Sequence, residues 1–183
     1  MTPAVETELF APEWRNSTLR DLMRHIVLKH HAYLREELPA IDLLLSVSAT
    51  TGNDARSGEP ATLTKIFRQF RRGIEEHLKK EEVILFPMIE KLEAARDAGQ
   101  APPRFPFGSI AHPISVMEEE HERARQELAQ IRTLTAGFTT IPPAYGGNSS
   151  ALLKLQDVDN DLQVHSRLED EILFPRAIGL ERV

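Results

Sequence analysis

With 183 residues, 41% of them hydrophobic and 27% charged, the sequence is long enough for one globular domain that buries a core without cross-links. A formal charge of −6, with no Lys/Arg run longer than a pair, leaves no nucleic-acid footprint. Cysteine is absent, which excludes disulfides, thiolate metal sites, iron–sulfur ligation and thiol catalysis by these residues, so any metal must sit on His and carboxylate.

Residues 1–16 are acidic and hold two prolines, which fits neither a signal nor a transit peptide; they read as an N-terminal extension to a bundle over residues 17–183. No apolar stretch is long enough to cross a bilayer, so a cytoplasmic protein without membrane association is expected. The β-branched runs of strands are missing, and apolar residues return every three or four positions in four stretches. The first opens after the N-cap candidates Asn16-Ser17-Thr18 and runs to about Val47, with Pro39 expected to kink it or end its regular part. A polar loop, Ser48 to Pro60, comes next. The second stretch, Thr62 to Ala98, carries Leu63, Phe67, Phe70, Ile74, His77, Glu81, Ile84 and Met88 on one face. A connection with Pro102, Pro103, Pro106 and Gly108 leads to the third, which starts near Pro113 with the stripe Ile114, Met117, His121, Ala124, Leu128 and Ile131. A loop with Pro142, Pro143, Gly146 and Gly147 precedes the fourth, about Ser149 to Ile178, whose inner face holds Leu155, Val158, Leu162, His165, Glu169 and Ile172. The fold class expected is all-α, an up-down-up-down four-helix bundle.

The second and fourth stretches share one phrase, His77-Leu-Lys-Lys-Glu81-Glu-Val-Ile-Leu-Phe-Pro87 and His165-Ser-Arg-Leu-Glu169-Asp-Glu-Ile-Leu-Phe-Pro175, 88 residues apart. A His-x-x-x-Glu pair alone is close to chance, whereas the repeated phrase is not. Residues four apart share a helix face, so each His and Glu can approach one metal pair together. The proline six residues after each Glu cannot bond the carbonyl of Val83 or Glu171, so a bend is expected one to two turns beyond the ligands. His121 takes a core position between Met117 and Ala124. In the first stretch the register Val27, His31, Leu34, Leu38, Ile41, Leu45 is apolar apart from His31, while the register through His30 reaches Glu37, so His31 is preferred. Any one of these histidines could be a hydrogen-bonded core residue. Six buried ionisable groups without a compensating cation would cost several kcal/mol per charged group, which favours metal. Two carboxylates would offset two of the four charges of a diferrous pair, imidazole suits iron and zinc alike, and positions would stay open for water, dioxygen or nitric oxide. His25, His30 and His112 read as surface or capping residues, and Lys79–Glu82 and Glu118–Glu122 as solvated faces apart from the ligands within them. Phe105 and Phe107 read as loop anchors.

His31 with Leu34-Arg-Glu-Glu-Leu-Pro39, His77 to Pro87, Pro113-Ile-Ser-Val-Met-Glu118 through His121, and His165 to Arg176 together resemble the hemerythrin-like family. The resemblance is closer to its branch for repair of iron centres, and it spans roughly residues 17–178. It implies His31, His77, His121 and His165 as ligands of two iron ions, an oxo- or hydroxo-bridged pair in which zinc or manganese could substitute, with Glu81 and Glu169 as bridges. It places Glu120 near the site, as an outer partner or proton relay. The implied role is a response to nitrosative or oxidative stress: reaction with NO or reactive oxygen, or supply of iron to damaged iron–sulfur proteins, by a monomer or homodimer. The alternatives are a hemerythrin-like O2 or iron binding or sensing module without turnover, and a zinc-bridged structural bundle. Oxygen carriers of the family have a fifth histidine where this chain has Arg125, and the acidic neighbour expected on the second helix is here Gly73. Many members of the repair branch carry a cysteine-containing N-terminal domain; here the bundle is expected almost at once, so no step needing those thiols is expected.

Overall fold

The computed structural model describes residues 12–51, 62–106, 108–142, 145 and 149–181. Residues 52–60 of the first predicted loop, and Phe107, Pro143, Gly146 and Gly147, lie outside the described residues. Four long helices come after a short one, Pro12–Asn16. Helix α1 runs through Leu19–Ile26, a π-helical turn Val27–His31 and Ala32–Thr51; α2 through Thr62–Lys80, a π turn Glu81–Leu85 and Phe86–Asp97. Helix α3 is Ala111–Leu134, and α4 runs through Ser150–Leu168, a π turn Glu169–Leu173 and Phe174–Glu181.

Thr18 caps α1 as expected, its hydroxyl accepting the Asp21 amide at 3.0 Å. The remaining orphan amides are met from across the bundle: the Glu93 carboxylate of α2 accepts the Leu19 and Arg20 N–H groups at 2.6 and 3.0 Å. Pro39 does not end α1, and the helix continues through Thr51, beyond the Val47 expected. Pro39 and Arg35, whose carbonyl it cannot bond, are both exposed, so the missing bond falls on the solvent side of the helix.

The prolines of the repeated phrase act upstream of where a bend was expected. Phe86 and Phe174 donate their N–H groups to the carbonyls of Glu81 and Glu169, five residues back, so each helix widens from the glutamate itself. The extra residue shifts the phase of the rest of the helix. Ile84, expected inside, is 43% exposed and Leu85 is buried in its place. In α1 the π turn turns both His30 and His31 inward, which corrects the surface reading of His30.

The helix order is set by two apolar clusters. One gathers Leu22 and Ile26 of α1, Ile89 and Leu92 of α2, Ile114 and Met117 of α3, and Leu173 and Ala177 of α4. The other gathers Leu38 and Leu45, Leu63 and Phe70, Leu128 and Ile131, and Leu155 and Val158. Each helix thus runs from one cluster to the other in alternating direction, giving the up-down-up-down bundle expected. Burial of these faces drives the fold at roughly 25 cal/mol per Å2 of apolar surface. Trp14 and Phe105 lean against the first cluster. Among the described residues no helix is long and apolar enough to cross a membrane.

Candidate metal centre

Between the two apolar clusters lies one polar layer. His31, Glu81 and Glu169 are fully buried, and His77, His121 and His165 are at most 5% exposed. Each helix contributes one histidine, α2 and α4 each add the glutamate one turn on, and all six side chains converge. They form two groups of four that could each hold a metal ion: His31, Glu81, His165 and Glu169, and His77, Glu81, His121 and Glu169, with ligand atoms within 4.8 Å of one another in each group.

The carboxylates lie across the two groups. Glu81 points Oε2 at His31 Nε2 (3.3 Å) and Oε1 at His77 Nε2 (3.2 Å); Glu169 points Oε1 at His165 Nε2 (3.2 Å) and Oε2 at His121 Nε2 (3.1 Å). Within each group the two imidazole Nε2 atoms approach to 3.2 Å (His31 and His165) and 3.0 Å (His77 and His121). All four carboxylate oxygens are buried without a hydrogen-bond partner among the described residues. Unmet buried acceptors are costly. Two cations, one between each pair of Nε2 atoms, would satisfy all eight donor atoms, so the residues fit a metal pair.

The outer face of the layer is built by acidic residues next in sequence to members of these six. His31 Nδ1 lies 2.7 Å from Glu82 Oε1, His77 Nδ1 3.1 Å from Glu120 Oε2, and His121 Nδ1 2.8 Å from Asp170 Oδ1. Such carboxylates fix ring orientation and tautomer, leaving Nε2 for a metal. Glu120 also accepts from Lys80, so it is held rather than mobile. Sequence reasoning missed Glu82 and Asp170 and placed Glu82 on a solvated face. The signal was present, since an acidic residue comes directly after the glutamate in both copies of the phrase. The phenylalanine of each copy packs on a histidine of the layer: Phe86 stacks on His31 (5.9 Å, 17°) and Phe174 on His121 (6.1 Å, 8°).

Without metal, the layer balances its charge with protons. Burial opposes the charged form of His77, but the charge of Glu81 and the contact with Glu120 outweigh it and raise its pKa to about 10. His121, against the same burial penalty, is raised to about 9 by Asp170 and Glu169. His31 is raised as well, burial being outweighed by Glu81. His165 is pushed down by burial, and Glu169, despite its own burial, is held well below the usual carboxylate range by His165 and His121.

The two halves differ in access. A cavity of about 390 Å3, lined by Phe70, Gly73, Ile74 and Leu162 among others, reaches His77 and His121. A Cβ added at Gly73 would meet nothing within 4 Å, so the cavity stays open there. On the other side His30 packs its ring on His165, 5.6 Å away and within 6° of parallel, while its Nδ1 meets Asp161 at 2.8 Å. His112 is exposed, as expected, and His25 is half-buried against Trp14.

A family model described as the hemerythrin HHE cation binding domain matches residues 22–177. The chain is similar to the iron-sulfur cluster repair protein YtfE of Edwardsiella ictaluri, 35% identical over 167 residues that cover 91% of this chain and 69% of that protein. It is 31% identical to proteins of the same name from Escherichia coli O157:H7 and Escherichia fergusonii, in both cases over 169 residues that cover 92% of this chain and 70% of the relative. A buried cation-binding layer, a match over most of the bundle and relatives of one name agree: the chain belongs to the hemerythrin HHE cation-binding family, on the side that holds the iron–sulfur cluster repair proteins.

Proposed function

We propose that this chain is a non-haem di-iron protein of the nitrosative and oxidative stress response, which reacts with NO or reactive oxygen and supplies iron for repair of damaged iron–sulfur proteins in the cytoplasm. The observation that carries this reading is the placement of Glu81 and Glu169, each with one oxygen toward each half of a buried four-histidine layer. His31 and His165 would hold one iron and His77 and His121 the other, with the two carboxylates shared. Iron, when bound, supplies Lewis-acid and redox chemistry toward a small ligand.

The chain's own residues do the rest. Glu82, Glu120 and Asp170 keep the Nδ1 protons of His31, His77 and His121 in place, so that Nε2 is the free donor. Phe86 and Phe174 shield the layer from water on one side. The cavity at Gly73 gives a diatomic molecule its approach to the His77/His121 half. Arg125 lies within ion-pair distance of Glu122 (3.1 Å) and Asp170 (3.5 Å) on the surface and offers no further ligand, which favours repair or small-molecule chemistry over a carrier.

The test is metal analysis after iron-replete expression, followed by optical spectra during addition of NO and O2. Two irons per chain with consumption of NO are expected. Two zinc ions with silent spectra, or stable reversible oxygenation, would overturn the reading. Glu81→Ala and Glu169→Ala should each lose most of the iron, because each removes a donor from both halves. Retention of both irons in either variant would remove the bridging assignment.

A further inference from the structure

The metal layer has an approximate twofold symmetry, and it fails behind His165. The repeated phrase relates His77 to His165 and Glu81 to Glu169; the same operation relates His31 to His121, Phe86 to Phe174 and Glu82 to Asp170. It therefore relates Glu120, which precedes His121, to His30, which precedes His31. Glu120 backs His77 with a carboxylate. At the equivalent place His165 has no carboxylate, its buried Nδ1 lacks a hydrogen-bond partner among the described residues, and a ring is stacked on it instead.

That ring begins a column. His30 lies on His165 at 5.6 Å and 6°, His25 meets His30 edge-on at 5.7 Å and 78°, and Trp14 lies on His25 at 4.3 Å and 35°. These are contact separations for aromatic pairs. The outer end is fixed. The Trp14 carbonyl accepts from Arg176 at 2.8 Å, which ties Pro12–Asn16 to α4, and from Ser17 at 3.2 Å, just before α1. The inner end is fixed by Asp161 on His30. Trp14 is only partly buried, and it is the single tryptophan of the chain.

We propose that Trp14, His25, His30 and His165 form the electron route between the protein surface and the metal pair. Electron transfer slows steeply with the gap to be crossed, and touching π systems couple better than aliphatic side chains over the same span. A reduced one-electron carrier protein at the Trp14 face loses one electron, and one iron(III) of the pair gains it to become iron(II); no atom is transferred. The inference rests on the reading of the centre as di-iron.

The chain has no cysteine, so one introduced thiol takes one label. A ruthenium polypyridyl photosensitiser is attached at Arg15→Cys, an exposed position beside Trp14, or at Glu119→Cys, exposed and two residues from His121. In the diferrous protein, a flash with a cobalt(III) ammine quencher yields ruthenium(III) and cobalt(II). Return to ruthenium(II) takes one electron from the iron pair and leaves it mixed-valent, followed by transient absorption and electron paramagnetic resonance. From Arg15→Cys a fast phase is expected that is lost in Trp14→Leu and in His25→Leu, neither of which is one of the six residues assigned to the metals; from Glu119→Cys the rate is unchanged by either substitution. An Arg15→Cys rate indifferent to both substitutions, at unchanged iron content, overturns the route and leaves the di-iron reading standing. Absence of bound iron overturns both, and metal analysis before the flash separates the two cases.

Discussion

Stripping the metal should reverse the sign of the bundle's pH dependence. In the metal-free protein His77 and His121 have pKa values of about 10 and about 9, above the 6.5 of the unfolded chain. A base whose pKa rises on folding adds stability that is complete below the unfolded value and is lost as pH climbs through the folded one. At 1.36 kcal/mol per pH unit the ceilings are on the order of 5 kcal/mol for His77 and 3 kcal/mol for His121. They do not add, because Glu169 attracts both groups. His165, pushed down by burial, acts only below pH 6.5, outside this window. A net loss of about 3 kcal/mol between pH 6.5 and 9.5 would lower Tm by roughly 6–12 °C for a chain of this size. In the metal-loaded protein protons compete with the metal for the same Nε2 atoms, so its Tm should hold or rise over that range. Circular-dichroism melts of chelator-treated and iron-loaded protein at five pH values decide the matter. A metal-free Tm that is flat or rises from pH 6.5 to 9.5 would refute the protonated-layer argument.

Two further outcomes concern residues outside the six converging side chains. Glu82→Gln and Asp170→Asn should each weaken iron binding by about 10–100-fold, the usual cost of losing an outer partner, measured by chelator competition; unchanged affinity would mean that these carboxylates do not orient His31 and His121. Leu85→Ala should cost about 2–5 kcal/mol in denaturant unfolding, as large-to-small core changes do, whereas the half-exposed Ile84→Ala should cost less than about 1 kcal/mol. Equal costs would place the π turn wrongly.

The helices and the inward faces of α2, α3 and α4 were legible because the periodicity is regular up to the polar layer. It fails where hydrogen bonding departs from the α pattern. Counting by three and four carries the register from Glu81 to Ile84, but the extra residue in the turn hands the buried position to Leu85. The same cause hid His30. A rule that allows one inward residue per turn must choose between His30 and His31, and the π turn admits both. Pro87 and Pro175 signalled that the helix would be disturbed, yet not that the disturbance would begin at the glutamate. Glu93, which caps α1 from 73 and 74 residues away, left no local trace, since capping residues are sought next to the helix they cap.

The π turns also bear on why this bundle tolerates a charged layer at its centre. A regular helix spaces inward residues at three or four, so an inward polar residue comes with one neighbour per turn on the same face. Where the turn widens, as after Glu81 and Glu169, the next residue can be acidic, sit at the edge of the layer and still reach a histidine of the neighbouring helix, as Glu82 and Asp170 do. The proline that follows the widening, the phenylalanine that covers the neighbouring imidazole and the acid that orients it all lie within six residues of the buried glutamate. One segment of eleven residues, present twice, therefore supplies four of the six side chains of the layer and two of the three carboxylates behind them. What it cannot supply is the group behind His165, which must come from α1, and there the chain places an imidazole where symmetry calls for an acid.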